Sequence, residues 1–338
     1  MNPLTSIKTA GFALAASLTV SHSAMAQNEP ITAYAGSVGG LYMEVMSVWV
    51  SQWEAAMDGL DISAVSGGGT TNPFHISRSQ PNQAVGLTDT ITTADAMEGT
   101  GDIGDRAPDG LRNLKALVRL NALSYSSFLT RKSLLPEGVS TLGELLEEKP
   151  SIRWAFLQRG NPGELTGRRF LEAYGSSFEE LTEWGGRTSF NPQGEHSSLM
   201  IDGHVDVSMV MTRVPAAFML DIDASVRDLV WLTIEEEIVD QLVENYGGYI
   251  KTEFPADFYN SLSEPFVTAS VDHVLFVHED MDEELAYQLT LTVLENAESM
   301  RNSLQSMSEF YPDVICQDTG QFELHSGAER ACTELGHL

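Results

Sequence analysis

The chain has 338 residues, with 48 Asp and Glu against 19 Lys and Arg, for a formal net charge of −29. So large an acidic excess excludes nucleic acid and anionic membrane surfaces as partners, because both repel it. Apolar residues make up 42% of the chain and the acidic positions are dispersed, which describes a folded protein rather than a disordered acidic tail.

The first 26 residues read as an export signal. Lys8 supplies the positive start, residues 10–20 form a short apolar core, and Ala24-Met25-Ala26 is a small-x-small cleavage site before Gln27. The core is too short to span a bilayer, and no later stretch is long and apolar enough. The expected product is therefore soluble and periplasmic, cleaved after Ala26. Losing Lys8 moves its net charge to −30. An excess of this kind keeps a protein soluble in a salt-rich extracytoplasmic medium, but an anionic solute then needs a local positive site.

Residues 31–36 are strand-like and break at Gly36, Gly39 and Gly40. From there Tyr42, Val45, Met46, Trp49, Trp53 and Ala56 recur on one helical face. A strand feeding a helix through glycines exposes backbone N–H groups at the positive end of a helix dipole, a seat for a small anion. Residues 60–66 return as a strand, and a second glycine-rich turn, Ser66 to Asn72, leads into another helix. A short strand at 84–87 precedes a helix from Asp89. The apolar runs 117–130 and 271–277 are the candidates for crossing between domains. Thr141-x-x-Glu144 is a capping box. A strand at 152–157, a third turn at Gly160-Asn161-Pro162-Gly163, a buried strand at 205–211 and helices from Pro215 and over 283–300 follow. The tail from Phe310 is expected to be irregular. This alternation predicts an α/β architecture. Cys316 and Cys332, the only cysteines, are either a disulfide or two buried thiols.

Chemistry on the solute is not indicated. The chain has no G-x-S-x-G elbow and no G-K-[ST] phosphate loop, and its eight histidines show no metal spacing. No cofactor is expected. Gly67, Gly68 and Thr70 offer the best set of donors for a ligand, beside Gly39, Gly40 and Tyr42. Asn72, Asp89 and Asp206 fit caps or structural roles, and aromatics such as Tyr249, Phe258 and Tyr259 fit core packing.

In order and spacing these segments resemble the solute-binding subunits of the TAXI class of TRAP transporters. The resemblance rests on Gly39-Gly40-Leu41-Tyr42, Ser66-Gly67-Gly68 with Asn72, Gly86-Leu87-Thr88-Asp89 and Gly160-x-x-Gly163-x-x-Thr166. It continues in Leu171 to Gly175, in Asp202-Gly203-His204-Val205-Asp206 and in Leu324 to Arg330. It implies a two-lobed periplasmic-binding-protein-like fold of type II, with two crossing strands and the ligand between the lobes. Lobe 1 would comprise residues 27–125 and 275–338, and lobe 2 residues 126–274. It further implies no catalysis, a monomer, and delivery of a small carboxylate-bearing solute (a dicarboxylate, 2-oxo acid or amino acid such as glutamate) to TRAP permease subunits. Thr88 and Thr166 join the candidate contacts on this ground.

The chain departs from the family pattern at Glu164 and Leu165, which replace a Ser and a Gly, and at Arg213, which replaces a small residue. Either Glu164 and Arg213 pair with each other, or they clasp a zwitterion from its two ends, Arg213 holding the carboxylate bidentately. An orphan sensory protein docking on a membrane receptor is the alternative function, and a hydrolase comes third.

Overall fold

The computed structural model describes residues 29–338, so the expected signal segment and its cleavage site lie outside the described residues. Four strands open the fold: β1 (Ile31–Tyr34), β2 (Ile62–Val65), β3 (Ala84–Asp89) and β4 (Leu114–Arg119). Next come β5 (Ser124–Arg131), β6 (Arg153–Leu157), β7 (Arg187–Asn191) and β8 (Val207–Thr212). The last are β9 (Leu229–Leu232), β10 (Ile250–Phe254), β11 (Phe266–Val271) and β12 (His273–His278). They form two sheets, one in the order β2-β1-β3-β12-β4 and one in the order β10-β11-β5-β8-β6-β7 with β9 paired to β5. The first sheet is parallel over β2-β1-β3, while β12 runs antiparallel to both its neighbours. Each sheet has helices packed on it, and together they make a two-lobed α/β fold.

The chain changes sheet twice. It leaves β4 at Arg119 and enters β5 at Ser124, then leaves β11 at Val271 and enters β12 at His273, with Asp272 alone between. Neither expected crossing is one continuous strand. The first breaks at Asn121, whose φ of 49° lies in the left-handed region that Asn tolerates better than most residues. Asp272 is fully buried and ties the two crossings together: its Oδ1 accepts from the backbone N–H of Ala122 at 3.1 Å and of His273 at 2.7 Å, and its other oxygen pairs with Arg119. A buried carboxylate persists only where every oxygen is matched in this way.

The helix expected from the aromatic stripe runs Leu41–Ala56 and buries Val45, Met46, Trp49 and Trp53 in the first lobe. Its apolar face lies against the helix Glu283–Glu295, where Trp53 Nε1 donates to the Leu289 carbonyl at 3.0 Å. The long helix expected over 283–300 divides at Asn296. The tail is more regular than expected. Residues Ser326–Glu334 form a helix capped by His325, and Cys332 within it is disulfide-bonded to Cys316. Closing that loop is worth about 3 kcal/mol by loop entropy.

Candidate functional site

A cavity of about 40 Å³ lies where the two lobes meet. Ser37, Gly40, Leu41, Tyr42 and Gly69 wall it from the first lobe, and Asn161, Pro162, Gln193, Met211 and Thr212 from the second. Ser124 and His273, the first residues after the two crossings, form its floor.

The lobes touch around this cavity. Thr70 N–H donates to the Gly160 carbonyl at 3.2 Å, and Asn161 Nδ2 reaches Ser37 Oγ at 3.4 Å. Gly68 has to be glycine here, because a Cβ would sit 2.3 Å from the Gly160 oxygen. Three arginines of the second lobe pair with carboxylates of the first: Arg213 with Glu44 at 2.6 Å, Arg168 with Asp102 at 2.6 Å, and Arg169 with Asp95 at 2.7 Å. The last pair is buried, and the Arg169 guanidinium also lies 4.0 Å from the centre of the Tyr246 ring.

The start of the helix Leu41–Ala56 is a wall of the cavity with open valences. Its N-cap is Gly40, which has no side chain to close the first turn. The Gly40 N–H is taken by the Ser37 carbonyl, and intrahelical bonding begins with Glu44 N–H to the Gly40 carbonyl. The N–H groups of Leu41, Tyr42 and Met43 have no acceptor among the described residues. Leu41 and Tyr42 are nevertheless buried, at 5% and 7% exposure.

His273 is held between two hydroxyls. Tyr42 Oη lies 2.8 Å from Nδ1, and Ser124 Oγ lies 2.8 Å from Nε2. Burial pushes the imidazole down to about 4, against the opposing pull of Asp272, so the ring is neutral near pH 7. A neutral ring carries one N–H, and the trio therefore has three polar hydrogens for its two bonds. Whichever tautomer is present, one hydroxyl hydrogen, on Tyr42 or on Ser124, remains for a further acceptor. Thr212 adds another open group: it is 1% exposed, and its Oγ1 has no partner among the described residues. Ser126 and Ser127 Oγ on β5 are also unpartnered, but they do not line the cavity.

Of the residues expected from sequence to meet a ligand, Gly40 and Tyr42 line the cavity, while Gly39 does not and packs against Gly194. Gly67, Gly68 and Thr70 do not line it. Gly68 N–H donates to Asn72 Oδ1 at 3.1 Å, Thr70 N–H crosses to the other lobe, and Gly69 between them supplies the wall. Thr88 sits beneath that turn and holds it by donating from Oγ1 to the Gly69 carbonyl at 2.8 Å. Thr166 is buried under the third turn, bonded to the Pro162 carbonyl and to Tyr249. Glu164 and Arg213 neither pair with each other nor line the cavity. Glu164 is enclosed by Arg159 at 3.1 Å and Arg168 at 3.8 Å, while Arg213 faces the other lobe at Glu44. Asp89 caps the helix Thr90–Glu98 through Thr92, and burial outweighs those two hydrogen bonds to push its carboxyl up to about 7.

Sequence reasoning passed over Ser124, Asn161, Gln193, Thr212 and His273. The usable signal was a polar residue inside an otherwise apolar predicted crossing, which Ser124 and His273 both satisfy.

The model of the NMT1-like family matches residues 34–336. The chain belongs to the NMT1-like family. No curated protein matches it by sequence. Among solved structures, the fold of this NMT1-like protein is similar to MatC from Rhodopseudomonas palustris with bound malate, at 13% identity and a TM-score of 0.53, covering 90% of this chain and 97% of that one. It is similar to the periplasmic binding protein BugD, at 13% identity and a TM-score of 0.51, covering 90% and 94%. It is also similar to PhnD1 from Prochlorococcus marinus in complex with methylphosphonate, at 12% identity and a TM-score of 0.51, covering 92% and 100%. At such identities the likeness establishes the fold, that of the periplasmic binding proteins.

The geometry makes two predictions. Arg213→Ala and Glu44→Ala should each lower stability by about 1 kcal/mol, and a double-mutant cycle should give a coupling of about 0.5–1 kcal/mol that shrinks in 1 M salt. Zero coupling would contradict a pair between the lobes. The lowered His273 pKa means that the folded state resists protonation, so stability is lost as pH falls from about 6.5 towards 4. Urea titrations of His273→Gln should show the acid slope reduced by about 1.4 kcal/mol per pH unit. An unchanged slope would mean that His273 does not carry it.

Proposed function

We propose that this protein is an exported periplasmic solute-binding protein that captures a small carboxylate-bearing solute between its lobes and, as the TAXI resemblance implies, passes it to TRAP-type permease subunits. One observation carries the reading: the buried start of the helix Leu41–Ala56 presents unpartnered N–H groups to the cavity between the lobes. A carboxylate there would satisfy them and align with the positive end of the helix dipole. Thr212 Oγ1 and the spare hydroxyl hydrogen of the Tyr42–His273–Ser124 trio would complete the seat. The positive field comes from the backbone, because Arg213 is engaged with Glu44. That arrangement meets the requirement set by the acidic surface without placing a charged side chain against the solute. Nothing in the cavity resembles an activated nucleophile, since Ser124 is bonded to an imidazole that itself bonds Tyr42 rather than a carboxylate. The role is capture and release.

Thermal-shift screening of the exported protein against small organic acids should give at least one stabilisation of several degrees. No shift from any acid would contradict the reading. Thr212→Val removes a buried hydroxyl that has no partner, so the ligand-free melting temperature should hold or rise while the affinity for that acid falls about tenfold. Unchanged affinity would take Thr212 out of the site.

A further inference from the structure

Three backbone turns border the cavity, and they differ in how many donors they leave open. At the helix Pro162–Ala173, Pro162 has no N–H, Gly163 N–H donates to Asn161 Oδ1 at 2.8 Å, and the N–H groups of Glu164 and Leu165 go to the Asn161 carbonyl. In the turn from Ser66 to Asn72, Gly68 N–H is held by the Asn72 side chain and Thr70 N–H by Gly160. Gly69 N–H between them has no acceptor among the described residues, and the start of the helix Leu41–Ala56 leaves several more, with Thr212 Oγ1, buried and unpartnered, in the same cavity.

No charged side chain lines the cavity among the described residues, and His273 there is neutral near pH 7. Of the charged groups just outside the walls, Arg213 is matched by Glu44, Glu164 by Arg159 and Arg168, and Asp272 by Arg119, while Asp89, buried beneath Gly69, bonds only Thr92. A second carboxylate buried here would have no counter-charge, and burying an unmatched charge is prohibitive. The remaining wall is apolar, from Leu41, Pro162 and Met211. Size restricts the ligand further. The 40 Å³ available is far below the roughly 150 Å³ of a cavity that accepts benzene. Interlobe contacts at Thr70–Gly160, Ser37–Asn161 and Glu44–Arg213 hold the walls at this spacing.

We infer that the solute is a short-chain monocarboxylate of roughly two to four carbons, bearing no second carboxylate. The inference rests on the carboxylate reading of the site and narrows it. It removes dicarboxylates and glutamate, which have two carboxylates, from the ligands that the family resemblance implied.

Isothermal titration of the exported protein with acetate, propionate, pyruvate and lactate, against succinate, 2-oxoglutarate and glutamate, tests it. At least one monocarboxylate should bind ten times more tightly than every diacid and than glutamate. If a diacid or glutamate comes within tenfold of the best monocarboxylate, the inference fails while the proposed function stands. If none of the seven acids binds, both fail.

Discussion

A helix that begins inside a protein must find acceptors for its first N–H groups, and the organisation of this cleft follows from that constraint. Gly40 places the helix Leu41–Ala56 against the neighbouring lobe but brings no side chain to cap it. The facing helix Pro162–Ala173 meets the same constraint the opposite way, with Pro162 removing one donor and Asn161 satisfying the others. One wall of the cleft is therefore closed to an anion and the other open to it. The asymmetry is built from backbone, which explains how a chain of net charge −29 can offer a positive site without a cation in the cavity.

The site's position depends on the two crossings. Asp272 holds Ala122, His273 and Arg119 at one point, so the strands that join the lobes leave from a common anchor. Ser124 and His273 are the residues immediately beyond it, and their side chains form the cavity floor. The Tyr42–His273–Ser124 chain runs from the helix start in the first lobe, through β12, to the first residue of β5 in the second. A ligand that accepts from the helix start and from this chain contacts both lobes and the crossings at once. Differential contact of that kind is what a solute needs if it is to favour a shut arrangement over an open one.

Much of the fold was legible because burial imposes periodicity. The stripe from Tyr42 to Trp53 and the apolar run before Thr212 predicted their elements to within a residue or two. The place of Gly40 and Tyr42 on the cavity wall was legible too, since glycines between a strand and a helix have a local physical meaning. Thr212, Ser124 and His273 were not, because each is a polar residue at the end of an apolar strand, and only the crossing geometry turns those ends towards one another. The alternative in which Glu164 pairs with Arg213 failed for a related reason. Sequence placed both in the second lobe, but not the opposing lobe that brings Glu44 to Arg213 across 169 positions. At Gly67 and Gly68 the three glycines suggested room for a ligand, and the structure shows that Gly68 makes room for the Gly160 carbonyl of the other lobe. The tail helix Ser326–Glu334 was missed because its polar face and its glycine at position 327 mask the buried contacts of Ala328, Ala331 and Cys332.

The vacant helix start is the claim on which the functional account stands, and amide chemical shifts observe it directly. In a titration of the ¹⁵N-labelled exported protein with pyruvate, the Leu41 and Tyr42 amide protons should move downfield more than any others, as N–H groups that gain a charged acceptor do. Saturable shifts elsewhere that leave those two resonances in place would contradict the account.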